Sequence, residues 1–412
     1  MHNNPKIKIT ILSLSYCLTM LEHTRYSIYK IKPFHIVFFL FIIFLFFKIR
    51  NLKLAKSEVI TLLLFILSTL LSLLNSSYFI KSLFWTFNIY ITALGALAIG
   101  VLIKPTVNQI FTSIVIGSLP SVIIGLHEYI YNKINNTSQW FSIIRIYSTA
   151  YEPSSLALML FPPIIPFLIF LMHLGEKKES IIQFPYFITF LSAFSFLIFL
   201  LSTGRSGWIC LPVFLLYYLL KSLTLRKVII IATVCILVLI GFFNFNSINL
   251  LFTDYFNRNI QNDPRFIGAV MGLKIFLLNP IAGTGVGSFG AEVQNNYIKY
   301  WYDNLDTLSS TNIQNLKWSL TTYNVIIEYL VNFGVVGLIS LSMMINLFYK
   351  KCSNNIKFNL VFLTTISMSF GLLFNQNLFR SYFLFLPLVF YGSQLQFAAR
   401  KELNILKHLN KI

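Results

Sequence analysis

Carboxylates are scarce in this chain. Its 412 residues hold 13 Asp and Glu against 32 Lys and Arg, and charged residues of both signs make up only 11%. So few charges exclude a disordered chain and fit no ordinary soluble domain. Cysteine is scarce too. Cys17, Cys210, Cys235 and Cys352 form no CxxC pair, which leaves no disulfide framework and no thiolate metal site to expect. The histidines, His2, His23, His35, His127, His173 and His408, are scattered without ligand spacing, so no zinc site is expected either. The excess of cations invites a nucleic-acid reading. It fails on distribution, because the basic residues sit between apolar runs and not on one soluble face. Cationic loops of that kind suit membrane orientation and anionic headgroups.

What is abundant is apolar length. Hydrophobic residues are 56% of the chain and aromatic ones 17%, with a mean hydropathy of +0.73. Residues 34–47, 60–74, 164–171, 187–201, 229–243 and 383–391 contain no charge at all. Hydrocarbon about 30 Å thick takes roughly 20 apolar residues per helix. The pattern predicts an all-α, polytopic transmembrane bundle in one integral domain over residues 1–412. Spans are expected near 9–24, 33–50, 57–75, 83–103, 107–126, 154–174, 184–203, 206–220, 228–244, 321–349, 357–376 and 381–398. The first of these could instead lie in the interface. Residues 9–21 lack a small-residue cleavage site before Glu22, so the first helices are expected to act as the insertion signal.

The loops between these spans sort into two sets. One set carries 19 of the 32 basic residues, and the other carries 13 spread over much longer loops, Lys81, Arg205 and Arg265 among them. The carboxylates run the other way, with four of the 13, including Glu58, on the first side. The positive-inside rule then puts both termini in the cytoplasm and a long loop, 245–320, outside. The cluster Arg25, Lys30 and Lys32 opposes this orientation. Within the long loop, residues 266–278 are apolar but for Lys274. That length is short for a span, so the segment should lie along the outer interface or re-enter.

Polar groups worth singling out collect at the outer ends of spans. In Ser202-Thr203-Gly204-Arg205-Ser206-Gly207-Trp208 an arginine stands between two glycines where one span gives way to the next. Its planar donor fork suits a phosphate; it could equally snorkel and only fix topology. Tyr151-Glu152-Pro153-Ser154-Ser155 opens another span. Glu152 there is either a residue favoured by the helix dipole or a general base for a sugar hydroxyl. Arg145 could pair with it or meet a phosphate. Arg265, in Asp263-Pro264-Arg265-Phe266, stands near a helix start that favours anions, or is a solvated loop residue.

Residues 283–290, Gly-Thr-Gly-Val-Gly-Ser-Phe-Gly, match GxGxxG formally. No strand precedes them, so a tight, backbone-exposed turn is expected and no dinucleotide site. Thr322-Tyr323-Asn324 begins a span in which Glu328 shares the face of Asn324. Gly334 and Gly337 are expected to serve close packing of helices. Asn375, Gln376, Asn377 and Arg380 form a further polar patch.

Taken in this order, the EPSS opening, the STGRSGW turn, Arg265 with Asn279-Pro280-Ile281-Ala282-Gly283-Thr284-Gly285, and Thr322-Tyr323-Asn324 with Glu328 and Gly334-Val335-Val336-Gly337 resemble the O-antigen ligase/polymerase family of bacterial envelope glycosyltransferases. The likeness covers about residues 145–345. It implies a multi-pass protein of the bacterial inner membrane that transfers a glycan from undecaprenyl diphosphate on the outer face. Ligases of the family typically carry a histidine where this chain has Tyr323, so the resemblance leans to the polymerase. It implies Arg205 and Arg265, helped by Arg145 or Arg380, on the diphosphate, Glu152 as base, and Tyr323 and Asn324 on the acceptor. No cofactor and no metal are implied. The expected partners are the undecaprenyl-diphosphate-linked oligosaccharide, membrane lipids and a chain-length regulator, with no nucleic acid. The alternatives are a ligase joining glycan to lipid A core, and a lipid-linked oligosaccharide flippase. A flippase usually has polar residues at mid-membrane and two repeated halves, neither of which the sequence displays.

Overall fold

Apolar runs near bilayer length can satisfy their backbone only as helices, and the chain obeys. The computed structural model describes residues 4–20, 33–48, 52, 54–135, 153–172, 184–202, 205–221, 264–293, 324–352, 356–372 and 381–395. The expected span 228–244, much of the 245–320 loop, and Arg145, Glu152, Tyr323 and Arg380 lie outside the described residues. At Arg205 and Arg265 the backbone alone is described.

The helices are α1 (Pro5–Met20), α2 (Pro33–Lys48), α3 (Lys56–Leu74), α4 (Phe79–Ile103), α5 (Val107–Asn135), α6 (Pro153–Met172), α7 (Tyr186–Leu201) and α8 (Arg205–Lys221). Further along the chain come α9 (Pro264–Leu278) and the short α10 (Phe289–Glu292). Then follow α11 (Val325–Cys352), α12 (Ile356–Leu372) and α13 (Ser381–Gln394). Among the described residues, five stretches are long and apolar enough to cross a bilayer: Lys56–Leu74, Phe79–Ile103, Val107–Tyr131, Ser155–Met172 and Val325–Cys352. Shorter apolar helices accompany them. The protein is a polytopic helical membrane protein, as the apolar runs predict.

Side-chain ties define two ends of the bundle. At the first, Lys8 Nζ donates to the Lys104 carbonyl at 3.3 Å, and the Lys351 ammonium lies 3.1 Å from Glu58 Oε1. Tyr391 donates its hydroxyl to the same oxygen at 2.7 Å, so one carboxylate joins α3, α11 and α13. Lys6, Lys8, Lys56, Lys104, Lys350 and Lys351 gather at this end. The second end carries the α3–α4 hairpin and the starts of α6, α8 and α11.

α1, which could have lain in the interface, is instead part of the core. Leu12 and Tyr16 are fully buried, α1 packs along α5, and Tyr16 donates its hydroxyl to the Met159 carbonyl of α6 at 3.0 Å. Phe111, Phe161, Phe199, Phe214 and Phe385 fill the same core. Around it, Phe44 on α2, Leu63 on α3 and Phe187 on α7 are well exposed, as a lipid-facing surface requires.

Three prolines interrupt α6 at 162, 163 and 166. A proline inside a helix removes a donor and crowds the preceding turn. The Met159 carbonyl, which loses its donor to Pro163, takes the Tyr16 hydroxyl instead, and α7 bridges the next turn. The Ser192 hydroxyl donates to the Pro163 carbonyl at 2.6 Å and accepts from the Phe167 N–H at 3.1 Å. In a membrane, hydroxyls from neighbouring helices commonly re-satisfy backbone freed in this way.

Candidate active site at the second end

α6 and α8 both start at the second end and pack together along their first turns. Gly207 makes this possible. A Cβ there would come 2.4 Å from the Ala157 Cβ and 2.9 Å from the Phe199 ring, so only glycine lets the two backbones close. The α7 C-terminus is tied off by Ser202, whose N–H bonds to the Ile198 carbonyl at 2.8 Å, and whose hydroxyl bonds to that of Phe199 at 2.7 Å. α8 starts three residues later, at Arg205. Pro153, which follows Glu152 in sequence, opens α6. The positive ends of two helix dipoles therefore lie side by side, where negative charge is favoured.

A second group of elements forms around α11. Asn324 caps this helix: its Oδ1 accepts from the N–H groups of Ile326 at 3.0 Å and Ile327 at 3.2 Å, as an N-cap asparagine should. Glu328, one turn further, is half-buried, with Oε2 shut off from solvent. α11 does not run unbroken. At Gly334 the backbone takes φ 63° and ψ −164°, a conformation open only to glycine. The expectation that Gly334 serves close packing is half of the matter: it also breaks the helix.

The groups freed by the break are taken up by the glycine turn after α9. Val335 N–H donates to the Pro280 carbonyl at 2.8 Å, and Thr284 N–H to the Val331 carbonyl at 2.7 Å. Gly287 N–H donates to Asn332 Oδ1 at 3.3 Å. Asn75, at the end of α3, donates its amide to the Gly283 carbonyl at 2.7 Å. The turn is therefore not backbone-exposed, as the sequence suggests. Thr284, Val286 and Ser288 are 3%, 4% and 0% exposed. Its backbone polar groups can be buried because α11 and α3 supply partners.

The segment 266–278 forms most of α9, and Met271 and Ile275 pack it on Val331, Phe289 and Val293. Arg265 is the second residue of that helix. The predicted residues thus fall on two helix pairs. Arg205 opens α8, which pairs with α6; Arg265 and Asn324 stand at the starts of α9 and α11; Glu152 lies outside the described residues. α12 packs on α6, α8 and α11 and joins the pairs. Arg145, Tyr323 and Arg380 lie outside the described residues. Among the described residues no three His, Cys, Asp or Glu side chains gather as metal ligands would. Ser72, Asn75 and Asn332, which hold the turn, were not singled out from sequence. They read as ordinary polar residues of helix ends, and only the break at Gly334 gives them a task.

No curated protein matches the chain. A family model described as O-antigen ligase matches residues 190–342, somewhat over a third of the chain. The matched stretch runs from α7 to within α11 and takes in Arg205, Arg265, the glycine turn and the break at Gly334. Members of that family are glycosyltransferase-like membrane enzymes acting on lipid-linked glycans. Over this stretch, and in the helical bundle around it, the chain is similar to the O-antigen ligase/polymerase family.

Proposed function

We propose that the protein is a polymerase of lipid-linked glycans. The hydroxyl of an acceptor sugar attacks the anomeric carbon of a glycan carried on undecaprenyl diphosphate. A new glycosidic C–O bond forms, the bond to the diphosphate breaks, and its electron pair leaves with the lipid diphosphate. Glu152 takes the hydroxyl proton. Arg205 and Arg265, with Arg145 or Arg380, hold the diphosphate and meet its growing charge. Tyr323, together with Asn324 in its capping position, orients the acceptor. The second end of the bundle faces outward from the bacterial inner membrane, both termini are cytoplasmic, and a chain-length regulator is the expected partner.

One observation supports this reading most: Gly207, two residues after Arg205, packs on Ala157, so α8 starts beside the start of α6, the helix that Glu152 precedes in sequence. An acid–base group and an anion-binding group have use for such closeness. The match to an O-antigen ligase family model favours a second reading, that of a ligase joining glycan to lipid A core. Deleting the gene separates them on a lipopolysaccharide gel. Loss of a polymerase leaves core capped with one repeat unit, and loss of a ligase leaves bare core. A flippase would instead strand its substrate in the inner leaflet.

A further inference from the structure

Lys81 is the third residue of α4, at the second end of the bundle, and lies outside the family match. Its neighbours show which way it faces. Ser82, Thr86 and Ile89 are turned inward at 0%, 9% and 4% exposure, while Ile80, Leu83 and Phe87 are turned to lipid at 83%, 46% and 55%. Lys81, Trp85 and Asn88 form the stripe between, at helical spacing i, i+4, i+7. This stripe follows the seam between α4 and the glycine turn. A Cβ at Gly287 would sit 2.6 Å from Trp85 Cδ1, and Ser82 Oγ pairs with Ser76 Oγ at 2.7 Å beside Gly285.

The Lys81 side chain is half-buried. It has no hydrogen-bond or ion-pair partner among the described residues. Partial burial of an ammonium with no counter-charge among the described residues is unfavourable unless a group beyond them answers it. Helical side chains lean toward the N-terminus, so the ammonium rises toward the membrane surface. Trp85, 41% exposed, stands one turn deeper as an aromatic face at interface depth. A charge above and an apolar plate below are the two halves of an amphiphile's complement. A lysine meets phosphate as a compact point charge with three donors.

We propose that Lys81 and Trp85 form a subsite for a lipid-borne phosphate, the ammonium on the phosphate and the indole against the first carbons of the lipid chain. The subsite rests on the proposed function only for which lipid it takes, undecaprenyl diphosphate or a phospholipid headgroup.

The test is binding without turnover. Wild-type protein and the Lys81→Gln, Lys81→Arg and Trp85→Ala variants go into phosphatidylcholine nanodiscs. Undecaprenyl diphosphate, then phosphatidylglycerol, is titrated in and bound lipid is counted by native mass spectrometry. Lys81→Gln should weaken binding of one probe roughly tenfold or more, as loss of a charge-assisted hydrogen bond does. Lys81→Arg should stay within a few-fold of wild type, and Trp85→Ala should weaken the same probe. Loss confined to undecaprenyl diphosphate assigns the subsite to the donor; loss confined to phosphatidylglycerol assigns it to a headgroup. Removing a half-buried charge without a partner should not unfold the protein, and its melting temperature checks this. Equal binding of both probes by wild type and Lys81→Gln overturns the subsite. Elongation of a lipid-linked repeat by wild type in the same discs is read separately, so the enzymatic reading can fail while the subsite stands, and the reverse.

Discussion

Ser72 on α3 donates its hydroxyl to the backbone carbonyl of Asn332 on α11, two residues before that helix breaks. The bond crosses from a hydroxyl that is fully buried to a carbonyl on a residue only 3% exposed. With Asn75 on Gly283 it pins the start of the break and the glycine turn beside it to the α3–α4 hairpin. Broken helices in membranes persist where irregular backbone is covered by protein, and this one is covered from two sides.

Gly334→Ala tests the break. The new Cβ would meet the Ile281 carbonyl oxygen, which lies 2.2 Å from its position, at φ 63°. Holding a non-glycine residue in such a region costs of order 1–3 kcal/mol, and the clash adds to it. The melting temperature in detergent should fall clearly. Ile339→Ala, at a site 51% exposed, should change it little.

At the first end, Lys351→Met should strand the Glu58 carboxylate, whose side chain is 8% exposed against 36% for Lys351. The Tyr391 hydroxyl and the Ala55 N–H would remain on it. Because the lysine is partly solvated, the loss should be about 1–2 kcal/mol, short of a fully buried pair. Adding Glu58→Gln to Lys351→Met should recover part of the loss, and a double-mutant cycle measures the coupling.

Ser192→Ala should remove the bridge between the Pro163 carbonyl and the Phe167 N–H. Leaving buried polar groups without a partner costs about 1–3 kcal/mol. Thermal unfolding should register it, and Ser192→Thr, which keeps the hydroxyl, should lose less.

Gly207→Ala should force α8 away from α6, since its Cβ would lie 2.4 Å from that of Ala157. In the proposed site, small displacements can lower rates on the order of a hundredfold, so long-chain surface polysaccharide should fall sharply on a gel. Ala157→Gly in the same chain should restore part of it, because it removes the atom most in the way. Equal loss in single and double variants would detach this contact from activity.

The helices were legible because apolar length is a one-dimensional signal. α3, α4, α6 and α7 begin and end within a few residues of their expected bounds. Arg205 could be picked out because a charge amid apolar residues is conspicuous. Ala157, on which Gly207 packs, could not, being one more small residue in an apolar run. Gly334 was ambiguous for a physical reason: glycine serves close packing and broken backbone alike, and the deciding partner, Ile281, is 53 positions earlier. Glu58 counted as a loop carboxylate, since counting charges cannot reveal that Lys351 and Tyr391 converge on it.

The central claim is that Arg205 grips the departing diphosphate. The most direct measurement follows release of undecaprenyl diphosphate from a purified lipid-linked repeat unit, by wild type and by Arg205→Ala and Arg205→Lys in nanodiscs. Wild type should release lipid diphosphate in step with chain elongation. Arg205→Ala should be slower by roughly a hundredfold or more, the effect of losing one preorganised donor to a developing anion, with Arg205→Lys between. Release at the wild-type rate by both variants would contradict the account.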